Sequence, residues 1–155
     1  MRIRLGVKDF AMLMMLTLAS ASCTGKLDRA SGRFRALDLP YKGTLFGITG
    51  NARALVVYGL RGTVLRSTDA GRSWQPVQTG LQVGLTASAI GADGRIVIVS
   101  QAGHVLVSAD DGASFASAKV DRPTPAAAVA LARNGALIVG GPRGLAAMAL
   151  PRLEN

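Results

Sequence analysis

The sequence predicts an all-β fold, a partial β-propeller of about three four-stranded blades, and two observations predict it. The octet STDAGRSW at 67–74 returns 41 residues later as SADDGASF at 108–115. The apolar run Leu55–Val57 recurs with the same 41-residue step as Ile96–Ile98 and Leu137–Val139. A period of this length with frequent turns is typical of propeller blades, because helical repeats of similar length show a 3.6-residue periodicity instead.

The composition agrees with short strands around an aliphatic core. Of the 155 residues, 49% are hydrophobic but only 5% are aromatic, and 19 are glycine. Such a chain is long enough for one domain with its own core, and the glycines indicate frequent turns. The type I′ hairpin dipeptides Asp93-Gly94 and Asn134-Gly135 precede the second and third apolar runs, and Asn51-Ala52 stands at the matching place in the first.

Each repeat divides into strands at these turns. We expect inner strands at Leu45–Thr49, Thr86–Ile90 and Ala127–Leu131, and second strands at Ala54–Tyr58, Arg95–Val99 and Ala136–Val139. Third strands are expected at Thr63–Ser67, His104–Ser108 and Leu145–Leu150, and fourth strands at Ser73–Gln78 and Ser114–Lys119. The third repeat ends without a fourth strand, and the alternating segment Arg33–Leu39 is a candidate outer strand to complete it.

The repeat also sets the domain division. Blades are expected at about 42–80, 81–121 and 122–155, so the partial propeller covers 33–155, with 33–39 as its candidate closing strand. A linker at 23–32 precedes it.

Residues 1–22 resemble a signal peptide. Arg2, Arg4 and Lys8 precede the apolar run Ala11–Ser22, which is too short to span a bilayer comfortably. We therefore expect an exported protein, either periplasmic or anchored to a membrane as a lipoprotein.

The single cysteine, Cys23, follows the small residues Ala19–Ser22, the place at which a bacterial lipoprotein carries its lipidated cysteine. Ser20 stands where such proteins usually have leucine. Lipidation with membrane attachment through Cys23 and simple cleavage near Ala21 or Ser22 therefore both stay open. One cysteine excludes an internal disulfide and a thiolate metal cluster.

Each octet is expected to form the corner between the third and fourth strands. Ser67 and Asp69 would hydrogen-bond within the turn, Gly71 would take a positive φ, and Trp74 would cap the core of the blade. The second octet offers the same four positions at Ser108, Asp110, Gly112 and Phe115. Both octets resemble the Asp-box of bacterial neuraminidase repeats, a structural hairpin found in sialidases, other glycosidases and binding proteins. The resemblance implies a fold and leaves function open.

Longer phrases resemble the photosystem II stability and assembly factor family and its exported relatives. They are LPYKGTLFGI at 39–48, LVVYGLRGTVLRSTDAGRSW at 55–74 and IVIVSQAGHVLVSADDGASF at 96–115. The likeness covers roughly 33–150 and looks like the C-terminal portion of such a protein. It implies a non-enzymatic propeller of about seven blades that binds a nascent membrane-protein subunit through an arginine-rich face. Because this chain holds fewer than half of those blades, a second copy could complete a six-blade ring as a homo-oligomer, or another polypeptide could.

The residues that glycoside hydrolysis needs are scarce. A glycosidase uses two facing carboxylates, and a sialidase uses a tyrosine with a nearby glutamate. The only glutamate is Glu154, the only tyrosines are Tyr41 and Tyr58, and most central carboxylates belong to the octets. His104 has no cysteine or carboxylate cluster, and Ser67 has no evident histidine partner. We therefore expect no enzyme, no cofactor and no metal site; the alternatives are a sialidase-type remnant with carbohydrate binding at most, or a truncated gene product.

The net charge is +9, of which the first 22 residues supply +2. The arginines are scattered and the aromatics are few, which argues against nucleic-acid binding. Arg61 and Arg143 occupy equivalent turn positions with Ala102 between them, and together with Lys42 they are candidates for a basic patch on one face. Solvated arginines at exposed turns are the alternative. We predict a protein partner, a membrane protein or an envelope complex.

Overall fold

Eleven β-strands and one 3₁₀ turn make up the regular structure of residues 36–150, the part of the chain that the computed structural model describes. The first repeat contains β1 (Leu45–Gly50), β2 (Leu55–Gly59), the 3₁₀ turn (Leu60–Gly62), β3 (Val64–Ser67) and β4 (Gln75–Val77). The second contains β5 (Leu85–Ile90), β6 (Ile96–Ser100), β7 (Val105–Ser108) and β8 (Ala116–Ala118). The third contains β9 (Ala128–Leu131), β10 (Ala136–Gly141) and β11 (Gly144–Ala149).

These strands form three antiparallel sheets, each a meander in chain order. The first sheet is β1-β2-β3-β4, the second is β5-β6-β7-β8, and the third has only β9-β10-β11. The predicted all-β fold, a partial propeller of about three blades, is therefore confirmed.

The inner strands β1, β5 and β9 bring the sheets side by side, and two apolar clusters fill the spaces between them. Between the first and second sheets lie Val56, Tyr58, Val64, Leu85, Ile96, Ile98 and Leu106. Between the second and third lie Val97, Val99, Val105, Val107, Ala126, Leu137 and Val139. Because side chains alternate along a strand, β6 sends Ile96 and Ile98 to one cluster and Val97 and Val99 to the other. All five residues of β6 are buried, as expected for a strand covered on both faces.

A third cluster lies on the outer side of the first sheet, around Val57, Leu65 and Trp74. Leu39 and Tyr41 pack against it. This packing corrects part of one prediction, because residues 36–39 of the candidate outer strand Arg33–Leu39 form no strand. Leu39 instead covers the first blade, and Pro40 has no N–H to give to a strand ladder. Residues 33–35 lie outside the described residues.

The third hairpin differs from the other two in register. Val57 pairs with Leu65 and Ile98 pairs with Leu106, so the 41-residue step would pair Val139 with Ala147. Val139 instead pairs with Ala146, because β10 and β11 are joined through Pro142 and Arg143 alone. A one-residue slip turns each side chain to the opposite face. Met148 consequently packs on the second-third cluster, whereas Leu145 is 82% exposed.

The predicted signal segment 1–22, the linker 23–32 and Cys23 also lie outside the described residues. No helix among residues 36–150 is long and apolar enough to cross a membrane.

Candidate protein-binding face

The turns between second and third strands lie at the same end of the sheets as the connections from one sheet to the next. The Gly62 N–H donates a hydrogen bond to the Val83 carbonyl at 2.7 Å, and the Thr79 hydroxyl donates to the Gly62 carbonyl at 2.8 Å. In the next repeat, the Gln101 N–H donates to the Gly84 carbonyl at 3.0 Å. We call this end of the sheets the basic face; it comprises segment 38–44, turns 60–63, 101–104 and 142–143, and connections 78–84 and 119–127.

Basic side chains outnumber acidic ones on the basic face. Within residues 36–150 it carries five exposed basic residues, which are Lys42, Arg61, Lys119, Arg122 and Arg143. Its acidic residues in the same range are Asp38 and Asp121. The surplus of positive charge at exposed turns favours an acidic partner.

The three residues singled out from sequence occupy this end in different ways. Arg61 sits in the 3₁₀ turn with a left-handed φ of 56°, and it is exposed. The Tyr41 hydroxyl donates to the Leu60 carbonyl at 3.4 Å, which brings neighbouring Lys42 to the same turn. Lys42 also lies 3.5 Å from Asp38, and both side chains are almost fully exposed. Arg143 lies in the short β10–β11 turn.

Lys119 and Arg122 were missed by sequence reasoning. Their equivalents one repeat earlier are Gln78 and Leu81, so the 41-residue step gives no sign of a shared basic position. Only the topology, which returns the connection after β8 to the same end as Arg61, brings them to the basic face. Counting charged residues at the end of each predicted fourth strand and in the connection after it would have identified both residues.

At the opposite end of the sheets, which holds the octets, two aspartates form ion pairs with arginines. Asn51 donates to the Asp111 carboxylate at 2.7 Å, Arg53 Nε lies 2.8 Å from the same carboxylate, and Arg66 Nε donates to the Asp111 carbonyl at 2.8 Å. The bond from Asn51, with that from Arg53, lowers the pKa of Asp111 below its usual value. These contacts tie the first sheet to the second octet. Arg95 likewise pairs with Asp93.

In the first octet, the serine and aspartate hold the corner through their side chains. The Ser67 hydroxyl accepts from the Gly71 N–H at 2.9 Å and donates to Asp69 at 2.8 Å. Asp69 accepts from the Ser73 hydroxyl at 2.7 Å and the Ser73 N–H at 2.9 Å, and these bonds hold its pKa well below the ordinary range. Gly71 has a φ of 82°, and Trp74, which is 8% exposed, donates from its indole to the Gly71 carbonyl.

The second octet repeats this arrangement. Ser108 accepts from the Gly112 N–H at 2.9 Å, and Asp110 accepts from the Ser114 hydroxyl at 2.7 Å. Burial raises the pKa of Asp110, but the bonds from Ser114 and Ser108 outweigh it and the pKa is lowered overall. Phe115 packs against the first-second cluster. In both octets the carboxylate is engaged by its own turn.

The described residues contain no cluster of three or more histidine, cysteine, aspartate or glutamate side chains that could hold a metal. His104 is exposed at the start of β7, with Nδ1 3.2 Å from the Ser100 hydroxyl. Ser100, the last residue of β6, also accepts a hydrogen bond from the His104 N–H at 2.9 Å, so these contacts hold the turn between β6 and β7. The aspartates of the octet end are therefore engaged by arginines or by their own turns, whereas Arg72 and Arg133 lie exposed at that end.

This geometry belongs to the class of β-propellers. No protein-family model matches the chain, and no curated protein matches it. Among solved structures, YCF48 bound to D1 peptide is similar, with a TM-score of 0.63 at 18% sequence identity. The match covers 72% of this chain and 40% of that one, so the chain spans less than half of that protein's length. At this identity the likeness shows the fold.

Proposed function

We propose that the chain is a non-catalytic propeller module that binds a protein partner through the basic face. The observation that carries the proposal is the unequal distribution of charge between the two ends of the sheets. The octet end carries five arginines against four aspartates, of which Asp93 and Asp111 pair with arginines, whereas the basic face exposes five basic side chains against two acidic ones. Exposed charges on a rigid end surface favour recognition of an oppositely charged segment.

The class of partner rests on two lines of support. The sequence resembles photosystem II assembly factors and their exported relatives, and the octets resemble Asp-boxes. The similar propeller YCF48 was solved with a D1 peptide bound, which is a precedent for peptide binding on this fold. We therefore propose a membrane protein or an envelope complex with an acidic exposed segment as the partner.

The place of action is part of the same proposal. The signal-like residues 1–22 and Cys23 support an exported chain that is either periplasmic or anchored through the cysteine. We also propose that the chain corresponds to the C-terminal portion of the larger propellers it resembles.

The experiment is affinity capture of envelope proteins by the full tagged chain after mild cross-linking in cells. Reversing Arg61 and Arg143 to glutamate should reduce the yield of a reproducible membrane-protein partner by about tenfold or more, because two attractive contacts become repulsive. The matched control reverses Arg72 and Arg133, two exposed arginines at the octet end, and changes the net charge by the same amount. Equal loss in both variants would reject the basic face, and glycan binding without protein capture would reject the proposed partner class.

A further inference from the structure

The outer faces of the first and third sheets are apolar and incompletely covered. On the first sheet, Ile48 pairs with Val57 on the outer face and is 61% exposed, and Leu37, close to Leu55, is 50% exposed. On the third sheet, β9, β10 and β11 contain no charged residue at all. Its outer face presents Ile138 with Ala147 beside it, and Leu145 is 82% exposed. Exposed apolar faces of this kind mark contact surfaces.

The repeat shows what kind of contact these faces make. Val56 in the first sheet packs against Ile96 and Ile98 of the second. Its equivalent one step on, Val97, packs against Leu137 and Val139 of the third. The same sheet-to-sheet contact therefore occurs twice within the chain.

One half of that contact is left over at each end of the chain. Leu55 and Val57, the equivalents of Ile96 and Ile98, lie on the outer side of the first sheet. Leu39, Tyr41 and Leu45 pack against the centre of their cluster, and Ile48 beside Val57 stays 61% exposed. Ile138, the equivalent of Val56 and Val97, lies on the outer side of the third sheet. The two outer faces are therefore complementary halves of an interface already present in the molecule.

From this we infer that a second copy of the chain covers both faces. The third sheet of one copy packs on the first sheet of the other, and the reverse contact closes the assembly around a two-fold axis. The resulting ring has six blades, within the range of four to eight that propellers use. The large side chains Leu37 and Ile48 of one face meet the small Ala130 and Ala147 of the other, so the shapes are complementary and no charge is buried.

Light scattering during size exclusion of the full chain tests the inference. The expected particle has twice the chain mass of 16.0 kDa. Ile48→Glu on the first sheet, or Ala147→Glu on the third, should each raise the dissociation constant about tenfold or more, since each buries an unpaired charge. Ala102→Glu, at an exposed turn of the second sheet, is the matched control and should leave the dimer intact.

Mixing the two variants gives the sharpest readout. Unlike faces pair in the proposed ring, so the unaltered third sheet of Ile48→Glu can still bind the unaltered first sheet of Ala147→Glu, and mixing should restore a dimer. If like faces paired instead, mixing the two variants would not create a contact between two unaltered faces of the kind seen between the sheets of one chain. A folded monomer for the unsubstituted chain, a dimer that both substitutions leave unchanged, or failure to restore association on mixing would each overturn the inference.

A second measurement does not depend on tolerance of a buried charge. With Cys23 replaced by serine, a chain carrying Ile48→Cys and Ala147→Cys should be cross-linked to a covalent dimer by a short bismaleimide. The matched chain with Ile48→Cys and Ala102→Cys should stay monomeric on a denaturing gel. Equal cross-linking of both would overturn the proposed contact.

Discussion

A single methyl group added to the glycine of each octet separates the effect of the turn from the effect of packing between sheets. Gly71 and Gly112 occupy the same octet position and have φ values of 82° and 79°. A Cβ at position 71 would lie 3.5 Å from the Trp74 ring, an ordinary contact. A Cβ at position 112 would overlap the Cγ2 methyl of Val56, which is fully buried in the first-second cluster.

The expected losses of stability differ accordingly. Gly71→Ala should lower the free energy of unfolding by about 1–2 kcal/mol, the cost of a left-handed backbone for an L-residue. Gly112→Ala adds overpacking, typically about 1–3 kcal/mol, for a total of about 2–5 kcal/mol. Gly135→Ala is the control, because its φ of 79° is similar but nothing lies within 4 Å of the added Cβ, and it should behave like Gly71→Ala.

Urea unfolding of the full chain measures these differences, with the fluorescence of Trp74, the only tryptophan, as the probe. Trp74 is 8% exposed in the folded protein, so unfolding should shift its emission to longer wavelength. If Gly112→Ala and Gly71→Ala destabilise the protein equally within about 0.5 kcal/mol, the close approach of the second octet to the first sheet is wrong.

Three further predictions concern charge and packing. Asp111→Asn removes the ion pair with Arg53 but tolerates the φ of 56°, so the unfolding midpoint should fall at low salt and the difference should shrink in 1 M NaCl; a salt-independent loss would contradict this. The pKa values of Asp69 and Asp110 are lowered in the folded protein, so both carboxylates stabilise the fold above the unfolded value of 3.8 and lose this contribution as the pH falls below it. The urea midpoint should therefore decrease when the pH is lowered below about 4, and the decrease should be smaller for Asp69→Asn. Leu106→Ala should cost about 2–5 kcal/mol by urea unfolding, because Leu106 is fully buried between two sheets, and a loss below about 1 kcal/mol would refute that packing.

Most of the strands could be predicted from the sequence because three aligned repeats supply the same evidence independently. The predicted second strand Arg95–Val99 is observed as Ile96–Ser100, and the predicted fourth strand Ser114–Lys119 is observed as Ala116–Ala118. Strand centres follow from apolar runs and turn residues, which are local. Strand ends depend on hydrogen bonds to neighbouring strands, so they shift by a residue or two.

Long-range contacts could not be predicted. The cross-link from Asn51 to Asp111 joins residues 60 apart, and Ala70 stands at the position of Asp111 in the first repeat. The segment around Leu39 carries a strand-like alternation, but it forms no strand, and Leu39 packs on the cluster that contains Trp74. Three of the five basic residues of the basic face, Lys42, Arg61 and Arg143, were identified from sequence, whereas Lys119 and Arg122 depend on where a connection runs.

The short turn at Pro142 and Arg143 has a consequence for engineering blades by recombination. The first two hairpins could be exchanged along the 41-residue alignment, since Leu65 and Leu106 face the same way. Transplanting either strand onto positions 144–149 without its longer turn would place the buried leucine in the solvent-facing row that Ala147 now occupies. Hairpins of this chain can therefore be exchanged only together with their own loops, because the length of the loop decides which side of the following strand faces inward.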